Sequence, residues 1–272
     1  MIKPDLSRLV LGTWRFSGAY FGKDNESENI AVIQKAAEKG IKIFDSAYFY
    51  GQGMALKRLQ KGLRLFNRKE IVFYGKGGLQ WQGRRVLKQV NFEALKEDLS
   101  KTLEILKTDY LDVFFYHWAP ESKLLSECLD QLEQIKAIGL VRDIGFCNLD
   151  AAGYQQLRQL KKEIFFQHPH SILRPLSVEI KSIVNEEKLI LHSLFEQGLL
   201  LSKKERQFGK KDVRRRHPFY QSSQLKAFQE SRLEGNNARE LLNAYQNQLL
   251  KAKFCIGPKN CQQLDQLLGY NF

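Results

Sequence analysis

The sequence predicts an α/β fold, a single (β/α)8 TIM barrel over residues 1–272 with a long loop after strand seven, and three observations carry that expectation. Short apolar runs rich in β-branched and aromatic residues alternate with stretches of helical spacing, as parallel strands and their crossover helices do. The length of 272 residues fits a barrel of about 250. Three of the early runs end in an ionisable residue: 41–45 in Asp45, 71–76 in Lys76 and 113–117 in His117, with Tyr50 five residues past the first. The carboxyl ends of barrel strands converge on one mouth, where enzymes of this fold keep their chemistry. One Asp, one Tyr, one Lys and one His gathered there point to proton transfer.

Each element has its own justification. Residues 9–12 read as the first strand. Residues 29–39 carry Ile30, Val32, Ile33, Ala36 and Ala37 at helical spacing, closed by Gly40. Strand 41–45, a helix over 54–65, strand 70–75 and a helix over 92–106 follow, the last with Asn91 placed as N-cap. Strand 111–116 leads to a helix over 124–138 stopped by Gly139, then strand 141–146, helix 152–160 and strand 164–167. A helix over 178–185 precedes strand seven at 189–191. Residues 198–223 have little periodicity and read as a long loop over the mouth. Helices at 225–233 and 238–250, strand 252–256 and a closing helix over 261–268 complete eight strands. An open doubly wound sheet is the alternative, but no GxGxxG follows an early strand.

Composition narrows the class. At 43% hydrophobic residues the chain can bury a large core. No apolar leader opens it, and no run approaches the roughly 18 apolar residues of a membrane span. Cys128, Cys147, Cys255 and Cys261 form no CxxC pair, so reduced thiols and a cytoplasmic location are expected rather than disulfides or a zinc site. The net charge is +13, and residues 203–206 and 210–216 hold eight basic residues against two acidic ones. That stretch reads as a solvated loop or as a site drawing the phosphates of a small cofactor. Nucleic acid is the weakest reading, because only Phe208 and Phe219 could stack on bases and no recognition-helix pattern is present. His168 and His170 could be a metal pair but have no third ligand at a recognisable spacing. Trp14, Trp81 and Trp118 lie near strand ends, either lining an apolar pocket or packing in the core.

The chain resembles the aldo-keto reductase family nearly end to end. Leu11–Gly12–Thr13–Trp14 opens the match, then Gly40–Ile41–Lys42–Ile43–Phe44–Asp45–Ser46–Ala47–Tyr48–Phe49–Tyr50–Gly51. Lys76–Gly77–Gly78, Thr108–Asp109–Tyr110–Leu111–Asp112–Val113 and Tyr116–His117–Trp118 continue it. Gly139–Leu140–Val141–Arg142–Asp143–Ile144–Gly145, Gln197–Gly198–Leu199–Leu200 and Ile256–Gly257–Pro258–Lys259 follow in order. Any one motif is weak; together, at these spacings, they are specific. The resemblance implies an enzyme moving a hydride between a nicotinamide cofactor and a small carbonyl or alcohol. It implies no nucleic acid or membrane partner and leaves oligomeric state open.

Under that resemblance Tyr50 matches the proton donor, Lys76 its cationic neighbour, Asp45 the partner of Lys76, and His117 the group orienting the carbonyl. Deprotonating a free phenol of pKa about 10 at pH 7 costs roughly 4 kcal/mol. An ammonium about 4 Å away returns about as much at an effective dielectric near 20. Cofactor contacts fall on Asn148, Gln167, His192, Ser193, Gly198, Leu199, Gly257, Lys259 and Gln263. Lys259 stands where the family keeps a cation for the adenosine 2′-phosphate, which implies NADP(H). One of Arg214, Arg215 and Arg216 is implied over the pyrophosphate, without a choice among them. Four departures stand out: Cys147 for serine, His192 for the stacking aromatic and Leu267 for a polar adenine contact, which bear on cofactor grip, and Ala55–Leu56 for the Ser-Glu opening the second helix, which removes a cap. Cys147, His192 and the basic stretch keep open a second reading, a cofactor-binding regulatory or interaction protein of the same fold with little turnover.

Overall fold

The computed structural model describes residues 4–18, 21–22, 24–82, 85–88, 91–118, 125–160, 163–201, 207–210, 212–231 and 238–269. Eight parallel strands close into a barrel: β1 (Leu9–Gly12), β2 (Ile43–Asp45), β3 (Val72–Gly77), β6 (Leu111–Tyr116), β7 (Val141–Cys147), β8 (Phe165–Pro169), β9 (Leu189–His192) and β10 (Lys253–Ile256). The ring runs β1-β10-β9-β8-β7-β6-β3-β2 and returns to β1 through pairs such as Gly12↔Asp45. Outside it stand α1 (Glu26–Glu38), α2 (Met54–Leu63), α3 (Phe92–Leu106), α4 (Leu125–Ala137), α5 (Ala151–Gln159) and α6 (Val178–Ile183). They are joined by α7 (Ser223–Ser231), α8 (Ala238–Gln248) and α9 (Cys261–Leu268). A separate antiparallel pair, β4 (Leu79–Gln82) and β5 (Arg85–Lys88), follows β3.

The strands read as continuous apolar runs because both of their faces are buried. Along β6, Val113 and Phe115 belong to the inner cluster with Val10, Ile43, Tyr74, Cys147 and Ile190. The alternate residues Phe114 and Tyr116 join the layer packed under the helices, with Leu9, Leu11, Phe44 and Phe146. Period-two alternation thus separates two apolar layers rather than core from water. Local chemistry sets the helix starts. Asn25, Asn91, Asp150, Ser177 and Asn260 accept the N3 amides of α1, α3, α5, α6 and α9, satisfying donors the helix leaves open. Asn91 is the cap the sequence predicts, and α3 has the predicted bounds.

The differences lie in what periodicity cannot mark. The β4–β5 hairpin was not expected; both strands are largely exposed, and its anchor is Trp81 stacked on Phe49 at 4.8 Å. Leu79 and Trp81, alternating ahead of Gly83, were the available signal. The segment read as a long loop contains short helical turns at Glu196–Leu201 and Val213–Arg216. Lys203, Lys204, Arg206 and Lys211 of the basic stretch lie outside the described residues. No helix among the described residues is long and apolar enough to cross a membrane.

Gly145 marks how tightly the ring closes. A Cβ there would lie 2.4 Å from the Phe165 carbonyl oxygen and 2.7 Å from the Phe115 ring. Backbone cannot give way as a side-chain tip can. Gly145→Ala should therefore lower the urea unfolding free energy by about 1–3 kcal/mol, the usual cost of overpacking; unchanged stability would contradict the tight closure.

Candidate active site

The backbone brings the strand ends together first. Asp45 closes β2, Lys76 lies near the end of β3, and His117 follows β6. Tyr50 sits in the turn between β2 and α2, its amide donating to the Ala47 carbonyl and its carbonyl accepting from Ala55. Glycine is required beside it: Gly51 has φ +66°, and a Cβ there would fall 2.4 Å from the Ser17 carbonyl oxygen. The turn carrying Tyr50 can therefore press directly against the loop after β1.

Lys76 and Asp45 form an ion pair with side chains 3% and 5% exposed. Burying such a pair costs desolvation, tolerable only when the remaining polar atoms are also engaged. Asp45 Oδ2 takes a second bond, 2.6 Å from Gln167 Nε2, and Gln167 Oε1 accepts from Cys147 Sγ at 3.6 Å. Burial acts to lower the Lys76 pKa, but Asp45 and Tyr50 oppose it and the net shift is upward, so the ammonium persists. Lys76 Nζ lies 5.3 Å from the Tyr50 ring centroid.

Tyr50 differs from the sequence arithmetic. Burial pushes its phenol upward, Lys76 pulls down, Asp45 adds to the rise, and the net direction is up. The desolvation that the arithmetic lacked exceeds the pull of the ammonium, and the hydroxyl keeps its proton at neutral pH. His117 meets Tyr50 edge-on at 5.5 Å and Phe49 at 5.8 Å. Burial, then Lys76 and His192, hold its imidazole far below the usual range and therefore neutral. Its Nδ1 is buried without a hydrogen-bond partner.

A second polar chain runs along the next strand ends. Asn148, in the left-handed region at φ +59°, donates from Nδ2 to the His117 carbonyl at 3.2 Å. That leaves Asn148 Oδ1 to accept from His192 Nε2 at 3.2 Å, and His192 Nδ1 to accept from Ser193 Oγ at 3.0 Å. Burial, with Lys76 next, pushes His192 down to about 3, so this tautomer is uncharged.

These groups open into one cavity of about 1630 Å³. Asp45, Tyr50, Lys76, His117, Asn148, Gln167, His192, Ser193, Gly198, Gly257, Lys259 and Gln263 all line it. Leu199 does not; it is buried against Leu200 and Leu225. Trp14 and Trp118 line the cavity, while Trp81 stands behind Phe49. Arg214 is the arginine of its trio that reaches the cavity, with Asp212 2.6 Å away; Arg215 and Arg216 are exposed. His168 bonds the Tyr154 hydroxyl, and His170 Nδ1 accepts from the Leu176 amide, which are packing roles. No cluster of three or more metal-binding side chains is present among the described residues. Sequence reasoning missed Phe49, Arg174 and His217 in the lining, as well as Val86 and Lys88 from the hairpin.

A closed parallel barrel with an ionisable quartet at the carboxyl ends of its strands, facing a cavity larger than the usual 300–1,000 Å³ or so of small-ligand sites, has the layout of a barrel enzyme. The chain belongs to the Aldo/keto reductase family, whose family model matches residues 8–253. Curated relatives include the aldo-keto reductase YhdN of Bacillus subtilis, 24% identical over 82% of this chain and 70% of that protein. Another is an NADH-specific methylglyoxal reductase of Escherichia coli, 28% identical over 72% of this chain and 65% of its own length. Among solved structures, a glycerol dehydrogenase from Gluconobacter oxydans superposes with TM-score 0.78 at 19% identity, covering 100% of this chain and 88% of that one. An aldo-keto reductase from Bacillus halodurans in its holo form gives TM-score 0.74 at 18% identity, over 99% and 89% of the two chains.

Behind Lys76 the chain turns at Gly78, whose amide donates to Asp98 Oδ2 at 2.9 Å. Burial raises Asp98 from 3.8 to about 6, the Gly78 bond and Lys101 opposing. A folded pKa above the unfolded one favours the protonated folded form, so this group's stability is full below about pH 4 and lost as pH rises through 6. The loss amounts to about 2–3 kcal/mol. Asp98→Asn keeps an acceptor for Gly78 and carries no charge. Urea titrations from pH 4 to 8 should show that decline in the wild type and its absence in the variant.

Proposed function

We propose that the protein is an NADPH-dependent reductase of aldehydes or ketones, also able to run the reverse alcohol oxidation, with Tyr50 as general acid and base. The observation that carries the reading is the protonated Tyr50 phenol beside the buried Lys76–Asp45 pair at the wall of the large cavity. The residues present fit a nicotinamide dinucleotide. The cavity runs from Tyr50 to the start of α9, Gly198 and Gly257 present backbone without side chains along it, and polar side chains recur within its mainly apolar lining. When bound, that cofactor supplies the hydride.

Each residue then has a chemical task. The Tyr50 proton is in place at neutral pH because burial holds it there. As negative charge grows on a carbonyl oxygen, the oxygen becomes basic enough to take that proton. The phenolate left behind faces the Lys76 ammonium, which Asp45 and Gln167 hold in register. His117 is neutral and can hydrogen-bond the carbonyl oxygen without adding a charge beside Lys76. Alcohol oxidation needs the phenolate first, so its rate should climb with pH while reduction holds level through neutrality.

Asn148, Gln167, His192 and Ser193 are assigned to the nicotinamide end, and Gly198, Leu199, Gly257, Lys259 and Gln263 to the phosphates and adenosine. Leu199 would serve through its backbone, its side chain being buried. Lys259 is exposed just before Asn260, the N-cap of α9, and Gln263 Oε1 accepts the Lys259 amide at 2.8 Å. A cation beside a helix N-terminus is a place for the extra phosphate of NADP. The NADH-specific relative sets the competing expectation.

Two measurements test the reading. Tyr50→Phe should cut reduction of a reactive aldehyde at least 100-fold and leave NADPH affinity within about threefold, the loss expected for a missing general acid. Tight NADPH binding with wild-type turnover at background would instead favour the regulatory reading. Fluorescence titration should show NADPH bound at least about tenfold more tightly than NADH, and Lys259→Ala should erase most of that difference; equal affinities in the wild type would refute the NADP assignment.

A further inference from the structure

Glu196 lies outside the chemistry above, yet it is the most completely buried carboxylate at the cavity's edge, 0% exposed. It follows β9, within the loop region where barrel enzymes seat phosphate groups. Glu196, Gln197 and Gly198 all have left-handed backbone, with φ of +44°, +56° and +88°. Side-chain-bearing residues hold such conformations only where their surroundings over-determine them.

The surroundings here are three segments converging on one carboxylate. Ser171 Oγ donates to Oε1 from the loop after β8. Arg174, of the same loop, reaches Oε2 from Nη2 at 3.0 Å. His217, just past the Val213–Arg216 turn, meets Oε2 from Nε2 at 3.1 Å. His217 Nδ1 accepts the Phe219 amide at 3.2 Å, which leaves Nε2 carrying the hydrogen and donating to Glu196 even when the ring is uncharged. His170 is the remaining titratable group nearby, and its Nδ1 is already committed to Leu176. Arg174, His217, Gln197 and Gly198 all line the cavity, whereas Glu196 stands behind them. Its carboxylate is therefore not a ligand-facing charge. It fastens the groups that are.

We propose that Glu196 is the positioning residue of the cofactor side of the cavity, tying Arg174, His217 and the turn at residues 196–198 into one wall on which cofactor residence depends. This inference rests on the reading of the cavity as a nicotinamide dinucleotide site. An apolar residue of similar size would leave the His217 donor buried without an acceptor and release Arg174, whose side chain is 38% exposed, toward solvent. Glutamine can remake every bond: its oxygen accepts from Arg174 and His217, and its amide donates to Ser171 Oγ.

The test compares wild type, Glu196→Leu and Glu196→Gln by fluorescence titration and stopped-flow release of NADPH. Glu196→Leu should raise the NADPH Kd and KM about tenfold, through faster release. Aldehyde KM should move less than twofold, and kcat at saturating cofactor should hold or rise. Glu196→Gln should restore affinity to within about threefold of wild type. Should Glu196→Leu fail to fold, His217→Leu removes one arm of the wall and should shift release in the same direction. Wild-type release rates in whichever of these two apolar variants folds overturn the proposal. So does Glu196→Gln failing to recover while the apolar variant is impaired. A wild-type protein that binds neither NADPH nor NADH refutes the dinucleotide reading itself, and this inference with it.

Discussion

The Lys76–Asp45 ion pair is the constraint on which the site depends. Two opposite charges placed where water scarcely reaches can persist only if strands β2 and β3 hold their ends in fixed register and Gln167 completes the carboxylate's bonding. The pair cannot relax independently of the barrel. In exchange it shapes the electrostatics of the cavity floor: burial first and the cation second keep His117 and His192 uncharged, and the cation counters part of the burial penalty on Tyr50. For these three groups burial is the larger cause and the Lys76 cation the second, and the barrel's closure fixes the geometry of both.

The fold was legible because its dominant signal is local. Strands buried on both faces give short apolar runs, helices give three-to-four spacing, and capping residues such as Asn91 mark where one gives way to the other. Several elements match within a residue or two for that reason. The hairpin escaped because an exposed ribbon has neither pattern, and its stacking contact, Trp81 on Phe49, joins residues 32 positions apart.

The site was legible in its residue types and less so in its energetics. Asp45, Lys76 and His117 are strand-end residues, so counting strands places them at the mouth. What the chain could not display was desolvation: the sequence offers a phenol and an ammonium, and only the fold reveals how thoroughly the phenol is buried. Leu199 is a similar case, since a motif gives its position but not the direction of its side chain. Glu196 carried no motif at all. Its partners Ser171, Arg174 and His217 are between 21 and 25 residues away in sequence and meet only after the barrel closes.

The β4–β5 hairpin stands apart from the hydrogen-bonded ring, yet Val86 and Lys88 on it reach the cavity wall. A ribbon outside the ring can change length or composition while the strand registers beneath it stay as they are. The floor that holds the buried ion pair and the rim of the cavity are thereby built from separable parts. A change of residue at Val86 or Lys88 accordingly alters the cavity wall without touching a hydrogen bond of the barrel.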